Sequence, residues 1–96
     1  MRPPGFWHFA GVYVNEDWPF AYGDVWAALD AFIAESPDLA AKLVDEIRMV
    51  LTALSTEDEL RDYVLGQGAA YAPGPEDGGY RGWLLEVARR VASACS

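Results

Sequence analysis

Residues 24–54 read DVWAALDAFIAESPDLAAKLVDEIRMVLTAL, and this run decides the fold class. Val25, Ala28, Leu29, Phe32 and Ile33 recur at i, i+3, i+4, i+7 and i+8, which gathers them into one stripe of a 3.6-residue helix. Asp24, directly after Gly23, suits the cap of that helix, because its carboxylate accepts a backbone N–H that the first turn leaves without a partner. Ser36-Pro37-Asp38 then ends one helix and starts another, with a serine cap, a proline at the first helical position and an acid toward the positive end of the dipole. Leu39, Leu43, Ile47, Val50, Leu51 and Leu54 keep helical spacing through this second, longer helix. Two amphipathic helices joined so abruptly must each find a surface on which to bury their stripes.

Working outward, Ser55-Thr56-Glu57-Asp58 predicts a third helix with Ser55 as its cap and Asp58 at the capping-box position. Leu60, Tyr63 and Val64 face inward, and Gly66 and Gly68 supply the stop. Ala69 to Gly79 is rich in proline and glycine and reads as a loop. The last helix spans about Tyr80 to Ala94, with Trp83, Leu84, Val87, Val91 and Ala94 on one face and Arg89 and Arg90 toward its negative end. Before Asp24, residues Asn15 to Asp24 form a connection containing Trp18-Pro19 and Tyr22-Gly23. Phe6 to Val14 is nearly all apolar, and its length suits either a buried helix or a strand. No other segment offers a strand partner, which favours a helix. The expected fold is all-α: a compact bundle of four to five short helices, with one Gly/Pro-rich loop before the last, in a single domain over residues 1–96.

Composition narrows the function. With 52% hydrophobic and 23% charged residues the 96-residue chain sits with globular proteins, and its apolar runs fall far short of a membrane span. The opening Met1-Arg2-Pro3-Pro4-Gly5 lacks the apolar run of a secretory signal, and the single Cys95 permits no internal disulfide. These features suit the cytoplasm. The net charge of −8 is concentrated between Asn15 and Asp62, where twelve acids face only Lys42, Arg48 and Arg61. Such a surface repels phosphate backbones, so neither nucleic acid nor membrane is an expected partner; it serves solubility or attracts a basic protein.

Residues with chemical potential are few. His8, the one histidine, lies in an aromatic run without histidine or cysteine at ligand spacing and reads as a packed core residue, so no metal site is expected. Glu16-Asp17 is the nearest approach to a carboxylate pair, but adjacent loop acids are usually solvated, and no catalytic residue is assigned. The glycines match no phosphate-binding pattern, so no nucleotide or other cofactor is expected. Trp18, Tyr22, Tyr71 and Tyr80 stand beside turns, where large rings either anchor partners or fold back over the core; at least half are expected to fold back.

The order of features then becomes informative: Gly11, Tyr13 and Asp17-Trp18; Tyr22-Gly23; Ala28-Leu29-Asp30 with Phe32; Leu54-Ser55 with Glu59-Leu60; Gly68 with Tyr71 and Pro73; and Tyr80-Arg81-Gly82-Trp83-Leu84. Together they resemble an immunity-protein family of bacterial contact-dependent growth inhibition systems, over nearly the whole chain. The resemblance implies a small cytoplasmic antidote, not an enzyme, that binds the toxic C-terminal domain of a surface-delivered effector, often a nuclease. On that basis Glu16, Asp17, Trp18, Tyr22 and Asp24 form the first candidate partner-binding surface, because acids and large rings there suit a basic groove. The residues alone leave open an acidic helical adaptor, or a nucleic-acid mimic, that binds another basic protein.

Overall fold

Each amphipathic stripe finds another to face, and the chain closes into a helical bundle. The computed structural model describes residues 4–14, 23–69 and 71–95. In chain order these form α1 (Pro4–His8), a π-helical turn (Phe9–Tyr13), α2 (Val25–Glu35), α3 (Pro37–Ala53), α4 (Glu57–Gly66), a 3-10 turn (Pro75–Asp77) and α5 (Gly79–Cys95). Among the described residues there are five α-helices and no strand, as the periodicity requires, and the 3-10 turn lies within the Gly/Pro-rich loop before α5. From Phe6 to Tyr13 the segment is helical, continuing from α1 into the π turn, and Val14 is the residue that closes it.

That first segment sits at the centre of the core. Phe6, Phe9, Ala10, Tyr13 and Val14 are all buried, and the ring of Phe9 lies 5.3 Å from Phe32 on α2 and 6.4 Å from Trp83 on α5. Offset and tilted ring pairs at such spacings add to the area they remove from water. Phe6 reaches α4 through Tyr63 at 5.5 Å, and Tyr13 meets Phe32 at 5.4 Å. His8 is half-buried, its ring 5.9 Å from both Tyr13 and Phe32, so it packs at the edge of this cluster. The apolar run is continuous because four helices press on it from different sides.

The remaining stripes follow the expected pattern with local differences. Val25, Ala28, Leu29 and Phe32 of α2 are buried, while Ile33 is only half-covered. Along α3, Leu43 and Ile47 are buried, and Ala40 is a third buried residue because α1 and α5 both pack on that side. On α5, Trp83, Leu84, Val87 and Val91 are buried, but Ala94 is exposed: the stripe outruns the helices that would cover it. Arg89 and Arg90 do not reach for the end of α5. Both clasp Glu86 one turn earlier, Arg89 Nε at 2.8 Å and Arg90 Nε at 2.7 Å, and the Arg90 guanidinium lies 4.1 Å over the Trp26 ring on α2.

Candidate functional site

How the helices start decides which charges remain for a partner. Asp24 caps α2 as expected, its Oδ1 accepting the Ala27 N–H at 2.8 Å. Ser36 stands at the cap position of α3, but its side chain makes no capping bond there. Proline at the start of α3 removes one donor that a cap would otherwise serve. The cap of α4 is Thr56 rather than Ser55. Thr56 Oγ1 accepts the Glu59 N–H and Glu59 Oε1 accepts the Thr56 N–H, each at 3.2 Å, which is a complete capping box shifted one residue along from the expected register. Those hydrogen bonds to Thr56 hold the Glu59 carboxyl below its ordinary range.

Two further helix starts are held by carboxylates distant in sequence. Glu57 accepts the N–H groups of Tyr80 at 2.7 Å and Arg81 at 3.0 Å, capping α5 from the first turn of α4. Glu46 accepts those of Phe6 at 2.7 Å and Gly5 at 3.0 Å, capping α1 from the middle of α3. Arg81 closes the same corner by donating Nη2–H to the Leu54 carbonyl at 2.9 Å. Gly79, at φ +73°, leaves room for the Glu57 carboxylate, since a Cβ would stand 2.4 Å from its Oε1.

The loop before α5 is tied from within. Asp77 Oδ2 accepts the Tyr71 hydroxyl at 2.7 Å and the Gly74 N–H at 3.2 Å. Burial and the Asp77 carboxylate push the Tyr71 hydroxyl well above its usual range. Its ring lies 5.2 Å from Trp83, and Tyr80 also packs against the core, so both of these loop aromatics fold back. Tyr63 is pushed up to about 12 by burial, with the Glu46 charge adding to the effect.

Most described acids are therefore engaged within the fold. Glu35 accepts the Tyr13 hydroxyl, Asp58 and Asp62 flank Arg61, and Glu86 holds Arg89 and Arg90. Asp30, Asp38, Asp45 and Glu76 make no hydrogen bond or ion pair among the described residues, and all four are exposed. Of the five residues proposed from sequence for partner contact, Glu16, Asp17, Trp18 and Tyr22 lie outside the described residues. Asp24 is exposed beside them in the chain and carries its capping bond. An outward feature that the sequence reading did not single out is a shallow open groove along the last turns of α3, lined by Arg48, Met49, Thr52 and Ala53. Its signal was present as outward spacing on α3, but periodicity alone does not separate a solvated face from a docking face.

Among the described residues no cluster of three or more His, Cys, Asp or Glu side chains is arranged to hold a metal ion, and no helix is long and apolar enough to cross a membrane. What the residues build is a small acidic all-α bundle whose polar side chains secure helix starts and leave separate charged faces outward. The family model of the CdiI immunity protein matches residues 2–91, and the chain belongs to that family. It is thus an immunity protein of a contact-dependent growth inhibition system, a class that opposes a toxin by binding it. Neither the curated proteins nor the solved structures yield a match to the chain.

Proposed function

We propose that this protein acts in the cytoplasm, where it binds and neutralises the C-terminal toxin domain of its cognate effector, and that this domain is a basic nuclease. The observation that carries the reading is the family match over residues 2–91 on a chain with a net charge of −8. A nuclease that grips phosphates presents a basic groove, and an acidic protein is drawn to that groove faster and blocks it more selectively than a neutral one. Glu16, Asp17, Trp18, Tyr22 and Asp24 form the proposed contact surface: two carboxylates for the basic rim, two rings as anchors, and a helix-capping acid at the edge.

Co-expression tests this. Cells producing the toxin domain encoded beside this gene are expected to survive when the intact immunity protein is present. Reversing Glu16 and Asp17 to lysine is expected to weaken that protection at least tenfold in the dose of antidote required. Full protection by the reversed protein would remove this loop from the interface. Failure of the intact protein to protect would overturn the functional reading itself.

A further inference from the structure

The outward face of α3 carries an exposed, regularly spaced run of small and charged residues. Ala41, Asp45, Arg48 and Thr52 are all exposed and recur at i, i+4, i+7 and i+11, the spacing of a seam along which two helices pack. Lys42 and Arg48 make no ion pair among the described residues, whereas Arg61, Arg89 and Arg90 are held by neighbouring carboxylates. Two free acids, Asp38 and Asp45, share this face with those two free cations, so it carries no net charge although the chain carries −8. Met49, beside the seam, is 71% exposed, the most exposed large apolar residue described. A single exposed methionine is ordinary on a protein surface, and it is the order of the charges along this face that carries information.

Read in the opposite direction, the seam matches itself. A two-fold axis perpendicular to α3, passing midway between Glu46 and Ile47, sets Asp45 opposite Arg48 of a second copy, Arg48 opposite Asp45, and Ala41 and Thr52 opposite Thr52 and Ala41. The small residues at both ends allow the backbones to approach. The same symmetry keeps each edge of one helix beside the like edge of the other, so the two Met49 side chains close over the charge pairs from one side. A basic partner would be drawn instead to the acidic surplus, and two molecules at −8 can meet with least repulsion through a face that is electrically balanced.

We infer that the outward face of α3 is a self-association surface on which a second copy of this chain docks antiparallel, Asp45 to Arg48 and Arg48 to Asp45. This stands apart from toxin neutralisation and does not depend on it. A single helix face is small beside a permanent interface, so the dimer is weak, with a dissociation constant on the order of 100 µM.

Sedimentation velocity from about 10 µM to about 1 mM tests the pairing, with helical circular dichroism confirming that each variant is folded. The intact protein is expected to shift from monomer to dimer across this range. Asp45→Arg and Arg48→Asp are each expected to weaken association at least tenfold, because each sets like charges face to face. The double reversal Asp45→Arg with Arg48→Asp is expected to restore it to within about threefold, because it re-forms both pairs with the signs exchanged. An intact protein that stays monomeric throughout, single reversals that dimerise as well as the parent, or a double reversal that remains as weak as the singles would each overturn the inference.

Discussion

The starts of α4 and α5 lie at one corner of the molecule and are secured in opposite ways. At α4 the cap is local: Thr56 and Glu59, three residues apart, satisfy each other's backbone donors on the exposed surface. At α5 the cap is borrowed, since Glu57 reaches across to Tyr80 and Arg81, more than twenty positions along the chain. The local box needs only residues of the cap and first turn of α4 itself. The borrowed cap exists only when both helices are docked, so it stabilises an arrangement and not merely a helix. Glu46 does the same for α1, over about forty positions. Acids adjacent in sequence thus serve different levels of structure, and net charge alone does not show which of them remain for a toxin.

The largest effect at this corner is expected from Trp83, which is fully buried between Phe9 and Tyr71 in the second turn of α5. Trp83→Ala leaves a cavity in the core that both helices share and is expected to cost about 3–5 kcal/mol in urea unfolding. A loss below about 1 kcal/mol would mean that α5 is not locked by its packing. Next is Gly82, where a Cβ would stand 2.1 Å from the Asp77 carbonyl oxygen. Gly82→Ala must push the loop and α5 apart, and a loss of about 1–3 kcal/mol is expected by the same measurement.

The two caps are then compared directly. Removing Glu57 strips two charge-assisted hydrogen bonds that exist only in the assembled corner, and Glu57→Ala is expected to cost about 1–2 kcal/mol. Thr56→Ala removes the local box at about 1 kcal/mol. Hydrogen exchange sharpens the contrast: Glu57→Ala is expected to expose the Tyr80 and Arg81 amides, while Thr56→Ala exposes that of Glu59. If both variants loosened only the start of α4, the borrowed cap would have no energetic content.

The smallest effect is expected farther along α5. Arg89 and Arg90 hold Glu86 down to about 2 from an ordinary value near 4.5. A depressed carboxyl stabilises the folded state fully above its unfolded value, and that contribution is lost as the pH falls from about 4.5 toward 2. The group lies at the surface and is screened, so the loss is modest. Glu86→Gln should therefore flatten the acid limb of the stability profile slightly and leave neutral pH nearly unchanged. A variant whose acid limb matches that of the parent would show that the clasp contributes nothing.

The same contrast explains what could be read from the residues alone. Helices α2, α3, α4 and α5 were legible because their stripes, the Asp24 cap and the Ser36-Pro37 break are local signals. The α4 cap was misplaced by one residue because Ser55 and Thr56 are chemically equivalent candidates, and only the reciprocal bond to Glu59 selects between them. For Phe6 to Val14 a continuous apolar run carries no period, and its centrality appears only once Phe32, Tyr63 and Trp83 surround it. The remote roles of Glu46 and Glu57 could not be inferred, since nothing near either residue marks the donors they serve. The candidate surface was reached through the ordered Gly11 to Trp18 features and the acidic surplus, and of its members the structure describes Asp24 alone.

The central claim is that this protein is the antidote to a specific toxin domain. It is tested most directly by calorimetric titration of the intact protein into the C-terminal toxin domain of its cognate effector, with the toxin's activity followed on the same samples. One-to-one binding with a dissociation constant on the order of nanomolar, and loss of toxin activity at the same stoichiometry, is the expected result. No heat of binding with toxin activity undiminished would contradict it.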